Sequence, residues 1–193
     1  MLIAAFEDRP ARAFNRFRFY VSMPKTLAEI NALDRTAFTA ALGHLFEHSP
    51  WVADETWSRR PFKDTAQLHE QLCATMRSAS IERQRALIEA HPDLAGRLAL
   101  MGGLTPESTR EQASAGLDRI TPEELAAFQN LNTAYRARFG FPFIICARLN
   151  ARDAILRAMQ VRVHNSPAEE HATALTEIEK IARLRLDDVL LPT

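Results

Sequence analysis

At four points along the chain a serine or threonine stands directly before a proline: Ser49-Pro50, Thr105-Pro106, Thr121-Pro122 and Ser166-Pro167. Proline suits the first helical position, where its missing N–H would have no intrahelical partner, and the preceding hydroxyl can accept from the free backbone donors of the first turn. Glu124 follows Thr121 by three residues and Glu169 follows Ser166 by three, so both sites read as reciprocal capping boxes. Hardly any stretch shows the strict alternation of a half-buried strand. The pattern predicts an all-α fold of about eight helices, beginning near 122 and 167 and elsewhere covering about 35 to 47, 65 to 79, 81 to 90 and 151 to 164. The helix from 122 places Leu125, Phe128, Leu131 and Tyr135 at helical spacing and should stop at Gly140, a residue suited to a left-handed C-terminal position.

A chain of 193 residues can bury one substantial core. The first 22 residues read as an extension. Arg9, Arg12, Arg16 and Arg18 alternate loosely with Phe14, Phe17, Phe19 and Tyr20, and no acid follows Asp8 until Glu29. Such a segment is either a targeting or anionic-surface element or a flexible lead-in to a domain over 23–193. The 24 basic side chains balance the 24 acidic ones, so no net field favours nucleic acid or an anionic membrane, and an anionic ligand must be held by local groups. Cys73 and Cys146 sit singly in apolar stretches and read as reduced core thiols; with no long apolar run, a cytoplasmic protein is expected.

Four features depart from a plain helical design. Phe141-Pro142-Phe143-Ile144-Ile145-Cys146 is apolar and β-branched, and its proline disfavours a helical Phe141, so an extended strip is expected whose backbone groups need partners. A bound ligand is one such partner; side chains and water are the other. Ser108, Glu111 and Gln112 share one face of the helix opening at Pro106 and present a hydroxyl, a carboxylate and an amide together. In the last helix the apolar stripe runs Leu175, Ile178, Ala182 and Val189, and Arg185 occupies the position between the last two. A guanidinium placed there must snorkel out, pair inside the protein, or meet a ligand carboxylate. His91 is held out of the α region by Pro92, and a helix C-terminus there favours a protonated imidazole, a proton donor near neutral pH.

One rival chemistry is visible. His44-Leu45-Phe46-Glu47-His48 fits a pattern in which two histidines of one helical face bind zinc and the glutamate serves as base. It would make the protein a zinc hydrolase. A helical interaction module without chemistry is the third reading.

Taken together, several phrases resemble the 2-oxo-4-hydroxy-4-carboxy-5-ureidoimidazoline decarboxylase family. They are Leu42-Gly43 with Phe46 to Ala53, Arg60-Pro61-Phe62, His91-Pro92-Asp93-Leu94-Ala95-Gly96, Ser108 with Glu111-Gln112 and Ala115-Gly116-Leu117, Leu131-Asn132 with Tyr135, and Phe139-Gly140-Phe141-Pro142-Phe143-Ile144. The resemblance implies a cofactor-independent, commonly dimeric helical enzyme that yields S-allantoin in urate degradation. It implies His91 as the catalytic histidine with Glu111 as its acidic companion. Pro92, Ser108, Gln112, the strip Phe143, Ile144, Ile145, Cys146 and Ala147, and Arg185 would bind the small-molecule substrate.

Overall fold

A computed structural model of the chain describes residues 24–96 and 101–192, so the extension over 1–22 lies outside the described residues. Among the described residues there are nine α-helices and no sheet: α1 (Leu27–Ala32), α2 (Arg35–Leu42), α3 (Trp51–Thr56), α4 (Thr65–Ser78), α5 (Ile81–Glu89), α6 (Pro106–Ser114), α7 (Pro122–Phe139), α8 (Arg152–Arg162) and α9 (Pro167–Val189). The all-α reading holds, and no helix among them is long and apolar enough to cross a membrane.

The caps act as their chemistry requires. Thr121 and Ser166 form both halves of their capping boxes, and Thr105 accepts from the N–H of Ser108 ahead of Pro106. Helix α7 stops at Gly140, whose φ of 77° is open to glycine and strained for other residues. Two expected boundaries differ. Ser49 makes no side-chain cap, because Pro50 occupies the cap position and α3 starts at Trp51. The helix expected over 35 to 47 ends at Leu42 and tightens into a 3₁₀ turn over Gly43–Leu45. Gly43 there packs so closely on Pro50 that an added Cβ would lie 2.9 Å from the proline Cβ. This early ending lets residues 46–48 turn, with His48 left-handed at φ 46°, and carries Glu47 inward.

Helix α9 packs against α4, α5 and the 43–45 turn. Its buried face (Ala174, Leu175, Ile178, Ile181, Ala182, Leu186) meets Leu42, Leu45, Leu68, Leu72, Met76 and Leu87 in one core. Burying such side chains contributes roughly 1.5–3 kcal/mol each. Tyr135 packs on Phe139 and Phe143, with ring centroids 4.6 and 5.3 Å apart, which joins α7 to the segment after it. That segment, 141–146, is non-helical and buried, as its proline and β-branched residues predict. The ends of the domain are tied by Lys25, whose N–H donates to Val189 O and whose carbonyl accepts from Leu191 N, each at 2.9 Å.

Candidate active site

A single cleft brings together the end of α5, one face of α6, the last third of α9 and the strip before α8. His91, Pro92, Leu94, Ser108, Glu111, Gln112, Phe143, Ile144, Ile145, Ala147, Ile181 and Arg185 line it. About 380 Å³ of space lies between its atoms, much of it open to solvent, and the enclosed part is about 30 Å³. Ten of the eleven residues expected at a site therefore converge. Cys146 is the exception. Its N–H donates to Glu177 Oε2 at 2.9 Å and its carbonyl accepts from Leu149 N and Asn150 Nδ2, so its polar backbone is spent away from the cleft.

His91 follows the C-terminus of α5 with its ring turned inward. Nδ1 lies 2.9 Å from Leu87 O, a contact that requires Nδ1 to carry the proton and leaves Nε2 as the free lone pair. Nε2 is buried and without a hydrogen-bond partner among the described residues. Burial lowers the imidazole pKa to about 4, outweighing the bond to Leu87 and the nearby charge of Glu47, which raise it; Arg185 and His48 lower it further. This corrects the expectation of a protonated donor. The helix C-terminus does favour the cation, but desolvation of a buried ring is the larger effect. At neutral pH His91 is a proton acceptor aimed into the cleft.

The segment after His91 is pinned from two helices. Gln112 Oε1 accepts from Ala95 N at 3.1 Å and holds that residue in a left-handed conformation (φ 48°), and Asn132 Nδ2 donates to Leu94 O at 2.9 Å. Asp93 pairs with Arg136 at 2.9 Å. The amide of Gln112 thus fixes the loop that carries Pro92 and Leu94 into the cleft.

Arg185 neither snorkels nor lacks a partner. Only 3% of its side chain is exposed, and it forms a bidentate pair with Glu111, Nε to Oε1 at 2.7 Å and Nη2 to Oε2 at 2.8 Å. Nη2 also donates to Glu47 Oε2 at 3.0 Å, and Nη1 donates to His44 O at 3.2 Å. Glu47 accepts further bonds from Thr105 Oγ1 at 2.9 Å and Ser108 Oγ at 3.1 Å. Burial pushes the Glu47 carboxyl up, yet Arg185, His91 and Thr105 together hold it below its ordinary value. One guanidinium therefore sits between two carboxylates. Glu47 lies behind it, and Glu111 faces the cleft. Glu111 is paired with Arg185 rather than with His91, and the acid whose charge acts on His91 is Glu47.

Glu47 is the residue that sequence reasoning missed. It was visible there only as the base of the zinc pattern, and that pattern does not survive the backbone. His44 lies in a 3₁₀ turn, Phe46 is extended and His48 is left-handed, so the two histidines share no helical face, and both are exposed. Among the described residues no three histidine, cysteine or acidic side chains group as a metal site would need. The signal that could have found Glu47 is its setting, an acid directly after the apolar Leu45-Phe46 pair.

Residues 31–187 match the family model described as OHCU decarboxylase. The chain is 42% identical over 167 residues to a 2-oxo-4-hydroxy-4-carboxy-5-ureidoimidazoline decarboxylase of Halalkalicoccus jeotgali, covering 86% of this chain and 93% of that protein. It is 44% identical over 161 residues to the Haloferax volcanii protein of the same name, covering 83% and 94%. A solved structure described as (S)-allantoin synthase superposes with a TM-score of 0.71 at 28% identity, covering 87% of this chain and 54% of that one. The matched span runs from the end of α1 through the cleft-forming elements into the last turn of α9, and with it the chain belongs to the OHCU decarboxylase family.

Proposed function

We infer that the chain decarboxylates 2-oxo-4-hydroxy-4-carboxy-5-ureidoimidazoline to S-allantoin in urate degradation. The observation that carries this reading is the buried, neutral His91 with its free Nε2 in the same cleft as the Glu111–Arg185 pair, in a chain of this family. The substrate is small, anionic and rich in hydrogen-bonding groups. The cleft offers it one base, one carboxylate, one guanidinium, a hydroxyl and an edge of extended backbone.

Breaking the bond to the carboxylate releases CO₂ and leaves an electron pair on the ring carbon. That pair passes into the neighbouring carbon–nitrogen double bond, and a proton from water neutralises the ring nitrogen. His91 Nε2 takes the proton of the substrate hydroxyl, which becomes the carbonyl of allantoin, and the resulting imidazolium returns a proton to one face of the ureido-bearing carbon. A buried site makes the imidazolium short-lived, because the same desolvation that keeps His91 neutral drives the proton back out. Glu111 accepts from the ureido N–H groups, and Arg185 anchors polar oxygens of the substrate while keeping Glu111 in place. Donors on the strip stabilise the enolate-like charge by preorganised hydrogen bonds.

The experiment is optical. Urate is converted to the substrate in situ by the two preceding activities, this protein is added, and circular dichroism follows the appearance of chiral allantoin. Accelerated formation of the S enantiomer is expected; decay at the spontaneous, racemic rate would overturn the assignment. A homodimer completes the proposal, supported by Leu149, 60% exposed beside Leu184 in a shallow apolar groove. A monomeric mass in sedimentation at working concentration would refute it.

A further inference from the structure

The strip over 143–147 has the cleft on one side, and on the other side two charged side chains reach its backbone. Arg162 Nη1 donates to Ile144 O at 2.9 Å, and Glu177 Oε2 accepts the N–H of Cys146 at 2.9 Å. Neither residue lines the cleft. Each is itself fixed and neutralised. Arg162 pairs with the fully buried Glu170, which also accepts from Tyr135 and from Asn165 Nδ2 at 2.8 Å, and its guanidinium lies 4.3 Å from the centre of the Phe143 ring. Glu177 pairs with Lys180 at 2.6 Å.

Buried charges of this kind add little to stability over well-packed apolar residues, because desolvation consumes most of the Coulombic gain. Their directional effect on the strip is larger. In an extended chain the N–H and C=O of one residue point to one side and those of the next residue to the other. The Ile144 carbonyl and the Cys146 N–H are both engaged from behind. The N–H and C=O of Ile145 and the N–H of Ala147 then face forward; Ile145 and Ala147 line the cleft, as Phe143 and Ile144 also do, while Cys146 does not.

We propose that Arg162 and Glu177 are positioning residues of the reaction: clamping Ile144 O and Cys146 N–H, they set the peptide planes that present the Ile145 and Ala147 backbone groups to the substrate. The proposal rests on the decarboxylase reading above. It assigns a role to two residues that do not line the cleft, and it accounts for a half-buried arginine and a buried glutamate under an otherwise apolar segment.

The test uses the full chain with three replacements at Glu177. Glu177→Gln keeps an acceptor for the Cys146 N–H, Glu177→Leu removes it, and Glu177→Asp keeps the charge but withdraws it by one methylene. Each variant is measured for Tm, for kcat and KM in the dichroism assay, and for the amide shifts of Ile145 and Ala147 as allantoin is titrated. Glu177→Gln should stay within about threefold of wild type, whereas the other two should raise KM and the allantoin Kd by about tenfold, the equivalent of one hydrogen bond. Their Ile145 and Ala147 shifts on titration should shrink in step. Unchanged KM and shifts in folded Glu177→Leu or Glu177→Asp would overturn the proposal, as would an equal loss in Glu177→Gln. If the leucine variant does not fold, Glu177→Asp and Arg162→Lys carry the comparison. Wild-type protein without turnover would overturn the decarboxylase reading itself, whereas wild-type turnover with unaltered variants would overturn the positioning role alone.

Discussion

Replacing His91 with asparagine separates the base from its support. The asparagine amide can still donate to Leu87 O, the bond that Nδ1 makes at 2.9 Å, so the loop entering the cleft keeps its anchor. The variant lacks the Nε2 lone pair together with the outer ring atoms that carry it into the cleft. A positioned general base contributes about 10²- to 10⁴-fold, or roughly 2.7 to 5.4 kcal/mol of barrier at 1.36 kcal/mol per tenfold. His91→Asn should therefore lose two to four decades of kcat in the dichroism assay, with Tm at pH 7 close to wild type. The pH dependence carries a second, independent expectation. Because burial holds the wild-type imidazole at about 4, kcat/KM should stay level as pH falls through 6 and drop only on approach to 4, as the base is protonated. The sign for stability follows from the same shift. The folded value lies below the ordinary 6.5, so the unfolded chain binds the proton first, and stability is complete above 6.5 and lost as pH falls from 6.5 through 4. The full loss amounts to roughly 3 kcal/mol at 1.36 kcal/mol per unit. His91→Asn should remove that acid sensitivity while it removes activity. Activity within tenfold of wild type, or an acid limb centred near 6.5, would refute the argument.

Three further outcomes are expected. Arg185→Met leaves Glu47 and Glu111 facing each other in a largely buried site, and breaking such a pair from one side costs about 3–5 kcal/mol, which denaturant unfolding would register as a lowered midpoint. Gly140→Ala forces an alanine to φ 77° with its Cβ 2.2 Å from the Arg85 guanidinium, so a loss of about 1–2 kcal/mol from the backbone is expected, with little change in kcat, by thermal unfolding and steady-state assay. His44→Ala and His48→Ala, with or without chelator, should leave turnover unchanged, since neither ring reaches the cleft; loss of activity with either replacement would revive the metal reading.

Local chemistry determined most of the architecture. Capping boxes at Thr121 and Ser166, proline at the first helical position and glycine at 140 act within one or two turns of backbone, so they can be read without knowing what packs where. The same holds for the extended strip, because Pro142 restricts its own neighbour, and for the anomaly of Arg185, whose place on an apolar stripe leaves its guanidinium to snorkel out or find a partner. Glu170 and Glu177 are buried acids that the structure reveals. They fall in phase with Ala174, Ile181 and Arg185 on the buried face of α9.

What only the tertiary structure decided is which groups meet. Glu111 is drawn to Arg185 instead of His91, and Glu47 enters from a segment far away in sequence because α2 ends early against Pro50. Cys146 leaves the cleft because Glu177 captures its N–H from the far side. The charge of His91 is the clearest case. Its position at a helix end argues for the cation, and only the enclosure of the ring by other elements reverses that, since desolvation depends on everything that surrounds a group and the helix-end effect only on the last turn.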